Sequence, residues 1–335
     1  MQRFFDDAQA HAAPLGAEYV ALWTAMRSAS DGGRRLRPAL AVEAYRAHGG
    51  SDAHAAQRLG DGIELLHTAF VMHDDVIDHD LRRRGRPNVS GEFGSRARAE
   101  GADRTAAAGY GQAAGILAGD LALVGALVEI ASVAVDTTTR DRLLALVHAA
   151  VRVSAAGELD DVYLGLGTRV ASVDETLAVA EHKTAAYSFA LPLQAGALLA
   201  GASPDQLDRL GELGRLLGIA FQLCDDLLGV FGDEAETGKS TLSDLREGKM
   251  TALVAYAART PAWDSIRAQL GDPKLTAADA GTLRARLEAC GARSFVESLV
   301  ESHLQSARAL AAAAGLDSVI ERVSALAARD TGRAA

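Results

Sequence analysis

Two groups of carboxylates are the strongest chemical signal in this chain. His73-Asp74-Asp75-Val76-Ile77-Asp78 is followed at once by Arg82-Arg83-Arg84, and Asp225-Asp226-Leu227-Leu228-Gly229 is trailed by Asp233 and Lys239. Each group sits in an apolar sequence of helical character, where crowded carboxylates repel one another and are costly to desolvate without a counter-ion. A shared cation is the natural answer. Hard oxygen ligands in this number suit Mg²⁺, and the neighbouring arginines suit a diphosphate that would complete the metal's coordination. On a helix, Asp74 and Asp78 lie one turn apart on the same face, while Asp75 is rotated by about 100°.

A solvated acidic face is the bland reading of a lone Asp-Asp-x-x-Asp, and the flanks argue against it. Ile63 to Met72 forms an apolar lead-in that places the acids at the end of a buried helix. Arg83-Arg84-Gly85 follows closely enough to fold back on whatever anion the metals hold.

Asp74, Asp75, Asp78, Arg83, Arg84 and Gly85 match, position by position, a motif of the form Asp-Asp-x-x-Asp-x₄-Arg-Arg-Gly. Here the chain resembles the trans-polyprenyl diphosphate synthase family, of the farnesyl and geranylgeranyl diphosphate synthase type. Gly32-Gly33-Arg34-Arg35-Leu36-Arg37-Pro38 is similar to the family's Gly-Gly-Lys-Arg-x-Arg-Pro segment. Arg34 replaces the lysine, keeping the charge but presenting a planar fork where the family has a point charge. Lys183-Thr184 resembles the family's Lys-Thr pair, and Phe221-Gln222-x-x-Asp225-Asp226, Gly238-Lys239 and Asp244-Leu245-x-x-Gly248-Lys249 resemble its second motif with a glutamine and two lysines. These matches run from residue 32 to 251 in family order.

The resemblance implies the chemistry and the roles. Asp74, Asp75, Asp78, Asp225 and Asp226 are the implied Mg²⁺ site, with Asp225 carrying most of the ligation in the second motif and Asp226 supporting it through hydrogen bonds or water. Arg34, Arg37, His67 and Arg84 are implied to hold the diphosphate of isopentenyl diphosphate. Arg83, Lys183, Thr184, Gln222, Lys239 and Lys249 are implied to serve the allylic diphosphate. Loss of that diphosphate leaves an allylic cation, which the double bond of isopentenyl diphosphate attacks, and the departing diphosphate takes the proton. Cations around the leaving group and a dry channel for the carbocation are opposed demands, met by acid clusters on apolar helices.

Two positions depart from the family pattern. Gly229 stands where many members carry the last Asp of the second motif, which weakens the expected metal site. In Gly157-Glu158-Leu159-Asp160-Asp161, similar to a Gly-Gln-x-x-Asp segment, Glu158 replaces Gln and adds a charge near the site. In the family the residues five and four positions before the first Asp affect chain length; here they are Ala69 and Phe70. Phe70 lies one turn below Asp74, roughly 6 Å along the helix axis, so geranylgeranyl diphosphate is the expected main product, with farnesyl diphosphate next.

The elements that must position these residues are helices. The chain has 335 residues, is 49% hydrophobic but only 5% aromatic, and its excess of Ala and Leu favours an all-α body. Helical periodicity covers 16–29, 36–48, 53–79, 105–134, 139–165, 173–200, 204–232, 249–258, 276–289, 293–313 and 316–329. Residues 88–103 are polar and Gly-rich and read as a mobile surface loop, and no run alternates well enough to predict a strand. Without repeats or linkers, residues 1–335 read as a single domain, for which the resemblance implies the isoprenoid synthase helical bundle with a central active-site cavity.

Composition also excludes. A formal charge of −10 with scattered basic residues argues against nucleic acid. Residues 113–136 are apolar but are interrupted by Asp120 and Glu129, and Thr184 to Pro204 carries Pro192 and Gln194, so a Pro-kinked core helix is expected there and no membrane span. Cys224 and Cys290 give no disulfide framework and no export signal is read, which together suit a cytoplasmic enzyme. The resemblance implies a homodimer. Rival readings are a class I terpene cyclase, a His-Asp metal phosphohydrolase suggested by His73-Asp74 and His79-Asp80, and an inactive partner subunit of a heteromeric synthase.

Overall fold

In the computed structural model, which describes residues 1–232 and 242–330, the periodic apolar stretches are helices. In chain order these are α1 (Gln2–Ala12), α2 (Ala17–Ser30), α3 (Leu36–Ala47) and α4 (Ala53–Ile77), followed by two-residue strands β1 (Arg82–Arg83) and β2 (Arg86–Pro87). Then come α5 (Val89–Ala99), α6 (Arg104–Ala131), α7 (Thr137–Gly165), α8 (Val173–Val179), a π-helical segment Ala180–Ala190, α9 (Leu191–Leu199) and α10 (Pro204–Phe231). The remaining helices are α11 (Ser243–Glu247), α12 (Ala252–Ala257), α13 (Trp263–Arg267), α14 (Ala277–Ala289), α15 (Ala292–Ala314) and α16 (Asp317–Asp330). The fold is all-α, as the composition predicts.

Local chemistry starts the helices where the sequence allows it. Asp52 caps α4 by accepting from the backbone N–H groups of His54 and Ala55, and Asp103 caps α6 in the same way through Thr105 and Ala106. Reciprocal capping boxes open α8 (Ser172 with Glu175), α10 (Ser203 with Gln206) and α14 (Thr276 with Asp279).

Three readings are corrected. Residues 88–103 are not a loop: Asn88 caps α5 through the N–H of Gly91, and Val89 and Phe93 are buried. Two of the glycines that read as loop signals are contact points: a Cβ on Gly91 would lie 2.1 Å from the carbonyl oxygen of Leu81, and one on Gly94 3.3 Å from that of Ala107 in α6. Helix α1, absent from the periodicity reading, is held by Phe4 and Phe5 packed edge-on against Trp23, with ring centroids 5.5 and 6.3 Å from it. A short antiparallel ladder, Arg82 opposite Pro87 and Arg83 opposite Arg86, exists where no strand was expected.

The chain divides into two compact units, Met1–Val42 with Ser51–Leu144, and Glu43–Gly50 with Ala145–Ala335. The first is built on α4 against α6, with Leu59, Ile63, Leu66 and Ile130 in its core. By length and composition α6 is apolar enough to cross a membrane. Its charges, however, have protein partners: Glu129 pairs with Arg58 at 3.0 Å and Asp120 lies 3.3 Å from His73. The face of α6 that carries Ile116, Leu117, Val124 and Val128 is exposed.

The second unit is built around α10, which packs against the π segment, α9, α15 and α16. Ile219, Leu223, Leu227, Leu253, Leu283 and Val296 share one core. Leu191 donates its N–H to Ala186, five residues back, and Pro192, which has no N–H, falls in the first turn of α9 where the wide turns end. Helix α9 is buried through Leu191, Leu193, Ala195, Ala197 and Leu198, as the charge-free sequence predicts.

Candidate functional site

In the first unit, α4 delivers its acids at its C-terminal end. Asp78 is the C-cap, with its N–H on the carbonyl of Asp74 at 2.8 Å, and is exposed. Asp74 lies on the same face and is about one quarter exposed, at 28%. Asp75, rotated inward, is buried and receives Arg83 Nε at 2.7 Å, while Arg83 Nη2 reaches Asp74 at 3.3 Å. Burial pushes the Asp75 carboxyl up from its ordinary range, opposed by Arg83. The sequence reading counts Asp75 among the metal ligands; its position in the structure is that of a buried counter-ion to Arg83.

The β1–β2 hairpin sends Arg83, the last residue of β1, and Arg84, the first of its turn, to different tasks. Arg83 turns to the acids. Arg84, in the left-handed region at φ 51°, lays its guanidinium on the Gly32-Gly33 turn and donates to the carbonyl of Asp31 at 3.4 Å. A Cβ on Gly33 would lie 2.9 Å from Arg84 Nη2, so the paired glycines are the floor on which this arginine rests. Two motifs distant in sequence are joined by this contact.

The resulting pocket is lined by Gly32, Glu64, His67, Arg83 and Arg84 among others. His67 titrates well below its ordinary range, through burial first and then the charges of Arg37, Arg83 and Arg84. Burial and the neighbouring guanidiniums both favour its neutral form. Arg37, in the first turn of α3, is half-buried, and Arg34 is exposed on the preceding turn. Glu64, which sequence reasoning missed, is buried with Oε2 lacking a hydrogen-bond partner. Burial raises its pKa against the pull of Arg37, Arg35 and Arg84. Its only sequence signal is an acid one turn before His67 in an apolar helix. Ala69 is fully buried in α4 and Phe70 half-buried.

In the second unit, α10 carries Asp225, half-buried, and Asp226, buried. A chain of hydrogen bonds fixes the latter: Thr184 Oγ1 donates to Gln222 Oε1 at 2.7 Å, and Gln222 Nε2 donates to Asp226 at 2.9 Å. Burial pushes the Asp226 carboxyl up to about 7, opposed by the charge of Lys249. Burial works to lower the Lys249 pKa, but Asp226, Asp161 and Asp244 outweigh it, so this ammonium stays charged. Asp226 thus also sits as a buried acid facing a protein cation, where the sequence reading makes it a metal ligand. Lys239, together with Asp233, lies outside the described residues.

Lys183 stands in the π segment. Its Nζ is 3.0 Å from Glu158 and 2.7 Å from Asp161, both on α7. The replacement of Gln by Glu158 therefore has a physical partner. Gly229 has one too: a Cβ there would lie 2.0 Å from Oδ2 of Asp244. The space left by the missing third aspartate of the motif is filled by a carboxylate supplied from α11. Asp161 and Asp244 belong to segments quoted from the sequence, yet only the fold assigns them these positions.

Among the described residues no three His, Cys, Asp or Glu side chains converge as a metal cage. Asp74 with Asp78, and Asp225, supply one or two carboxylates each. That donor set fits Mg²⁺, which prefers a few carboxylates with water and phosphate oxygens completing an octahedron. A cleft of about 720 Å³ in the second unit, between Ala200–Arg209 and the end of α15, contains none of the candidate residues.

Residues 21–280 match the polyprenyl synthetase family. The short chain isoprenyl diphosphate synthase of Methanothermobacter thermautotrophicus is 33% identical over 226 residues, which are 68% of this chain and 63% of that protein. This chain thus covers less than two thirds of that relative's length. Geranylfarnesyl diphosphate synthase of Aeropyrum pernix is 33% identical over 282 residues, 83% of this chain and 82% of that protein. The crystal structure of geranylgeranyl pyrophosphate synthase from Corynebacterium glutamicum, complexed with isoprenyl diphosphate and magnesium, has 33% identity and a TM-score of 0.88, covering 99% of this chain and 96% of that one. With both acid-bearing helices, the arginine hairpin and the Lys-Thr pair inside the matched residues, the chain belongs to the polyprenyl synthetase family.

Proposed function

We propose that the chain is a trans-prenyltransferase, a Mg²⁺-dependent polyprenyl diphosphate synthase acting as one catalytic domain over residues 1–335. It joins isopentenyl diphosphate to an allylic diphosphate and releases a longer all-trans prenyl diphosphate, with geranylgeranyl diphosphate as main product and farnesyl diphosphate next. The observation that carries this reading is the pocket where Arg84, seated on Gly32-Gly33, meets His67 beside the acid-bearing end of α4. It provides a diphosphate site separate in the chain from the one around Lys183, and a single-substrate cyclase has no use for two.

The roles are assigned from the motifs and from the position of the described residues, that of Lys239 from its motif alone. Arg34, Arg37, His67 and Arg84 bind isopentenyl diphosphate. Lys183, Lys239 and Lys249 bind the allylic diphosphate with Arg83, while Thr184 and Gln222 hold Asp226 in place. Asp74, Asp78 and Asp225 would hold Mg²⁺, which when bound neutralises the charge of the leaving diphosphate. Ala69 and Phe70 limit the length of the product tail. A second copy of the chain covers the exposed Ile116, Leu117, Val124 and Val128 stripe of α6 as a cytoplasmic homodimer.

The test is incubation of purified protein with Mg²⁺, dimethylallyl, geranyl or farnesyl diphosphate, and labelled isopentenyl diphosphate, followed by chromatography of the dephosphorylated products. Label in a longer prenyl alcohol supports the reading. A hydrocarbon formed from geranylgeranyl diphosphate alone favours the cyclase, and release of inorganic phosphate from nucleotides favours the phosphohydrolase.

A further inference from the structure

We propose that Glu158 sets the affinity of the second unit for the allylic diphosphate by competing with it for the ammonium of Lys183. The inference rests on the function proposed above and names a residue that tunes it. Glu158 and Asp161 are separated by three positions on α7, so both project from one face and converge on a single ammonium. The distances from Lys183 Nζ are 3.0 Å to Glu158 and 2.7 Å to Asp161, with all three side chains 20 to 23% exposed.

Gly157 makes the convergence possible. A Cβ at this residue would lie 2.3 Å from the backbone nitrogen of Lys183, so α7 touches the π segment at the very residue that carries the ammonium. An anion that recruits Lys183 competes with the charges of Glu158 and Asp161 for the same ammonium. Asp161 corresponds to an acid in the matched segment, whereas Glu158 supplies a negative charge at a position where that segment has an uncharged glutamine. A carboxylate adds to its hydrogen bond with an ammonium the attraction of opposite charges, which an amide oxygen lacks. It also repels the incoming diphosphate, beside an Asp161 that already carries negative charge to the same ammonium.

Glu158→Gln keeps the shape of the side chain and removes the charge. The expected result is a KM for the allylic diphosphate lower by about tenfold, equivalent to about 1.4 kcal/mol, with the KM for isopentenyl diphosphate unchanged. Calorimetric titration with inorganic diphosphate in chelator should give the same gain, and Glu158→Ala should move it in the same direction. Asp160→Asn, the same charge change on an exposed neighbour, should do neither.

An allylic KM or diphosphate affinity that is unchanged or weaker in Glu158→Gln, with an intact thermal transition, would overturn the proposal. So would an equal gain in Asp160→Asn, which would reduce the effect to bulk charge. If the wild-type chain transfers no prenyl group, the functional reading falls, while the titration with inorganic diphosphate still decides the role of Glu158.

Discussion

Replacing Gly229 by Ala probes the contact that completes the second acid cluster. The added Cβ would stand 2.0 Å from Oδ2 and 2.8 Å from Cγ of Asp244, far inside contact distance, so that carboxylate must swing out of the space it occupies. Inside a helix such as α10, Ala is favoured over Gly by about 1 kcal/mol. Forcing a side chain off its preferred rotamer costs roughly 0.5–1.5 kcal/mol. In the wild-type background the two effects nearly cancel. In an Asp244→Ala background only the helix gain remains. A double-mutant cycle by urea denaturation in chelator should therefore give a coupling of about 1 kcal/mol, with Gly229→Ala near neutral alone and stabilising by about that amount beside Asp244→Ala. Both single variants should weaken Mg²⁺-dependent diphosphate binding alike, because both remove the same carboxylate from the same place. Equal stabilisation by Gly229→Ala in both backgrounds would refute the reasoning, since Asp244 would then not be displaced.

Asp75→Asn leaves the Arg83 guanidinium without its buried counter-charge and should lose about 2 kcal/mol in urea denaturation, after allowance for the partial exposure of Arg83; Asp78→Asn, at the exposed end, should stay within about 0.5 kcal/mol, and equal losses would contradict the assignment. His67 titrates below its unfolded value of 6.5, so the unfolded chain takes up the proton first; the stability His67 contributes is complete above that pH and is lost as pH falls toward the folded value. His67→Gln should flatten the acid side of the Tm-versus-pH curve between pH 7 and 5, and parallel curves would count against a neutral His67. Ala69→Phe should shorten the product and Phe70→Ala should lengthen it, and unchanged product chromatograms in both would end the steric argument. Gly157→Ala meets backbone and not a pliant side chain at 2.3 Å, so it should destabilise by about 1–3 kcal/mol and raise the allylic KM.

Periodicity made α4, α6, α7 and α10 legible in the sequence nearly to their ends, and in the structure Asp52, Asp103 and Ser203 cap three of them. The helical phase also put Asp74 and Asp78 on one face. Which way Asp75 turns was not legible, since that depends on Arg83 returning across a two-residue hairpin whose strands are too short to leave a pattern. Helix α5 was hidden for a related reason: glycines signal a loop and a close contact with the same letter, and only the carbonyls of Leu81 against Gly91 and of Ala107 against Gly94 tell them apart. Gly229 reads as a loss until Asp244, in a different helix, is seen in the vacated space. Glu158 reads as an added charge without an account until Lys183 is found beside it.

The wide turns from Ala180 to Ala190 act as a phase shifter within one continuous helical rod. Upstream of Pro192 the rod presents Lys183 to α7 and Thr184 to Gln222; downstream it presents apolar residues to the core. Removing one residue from the segment would relax it toward ordinary α geometry and turn one end against the other by about 100°. Burial of α9 would hold the downstream face where it is, so the rotation would fall on the upstream one. Lys183 and Thr184 would leave their partners while the rod itself gained regularity. Helical perfection and chemical alignment are thus set against each other in this stretch, and the extra residue per turn is what keeps the reactive face in register.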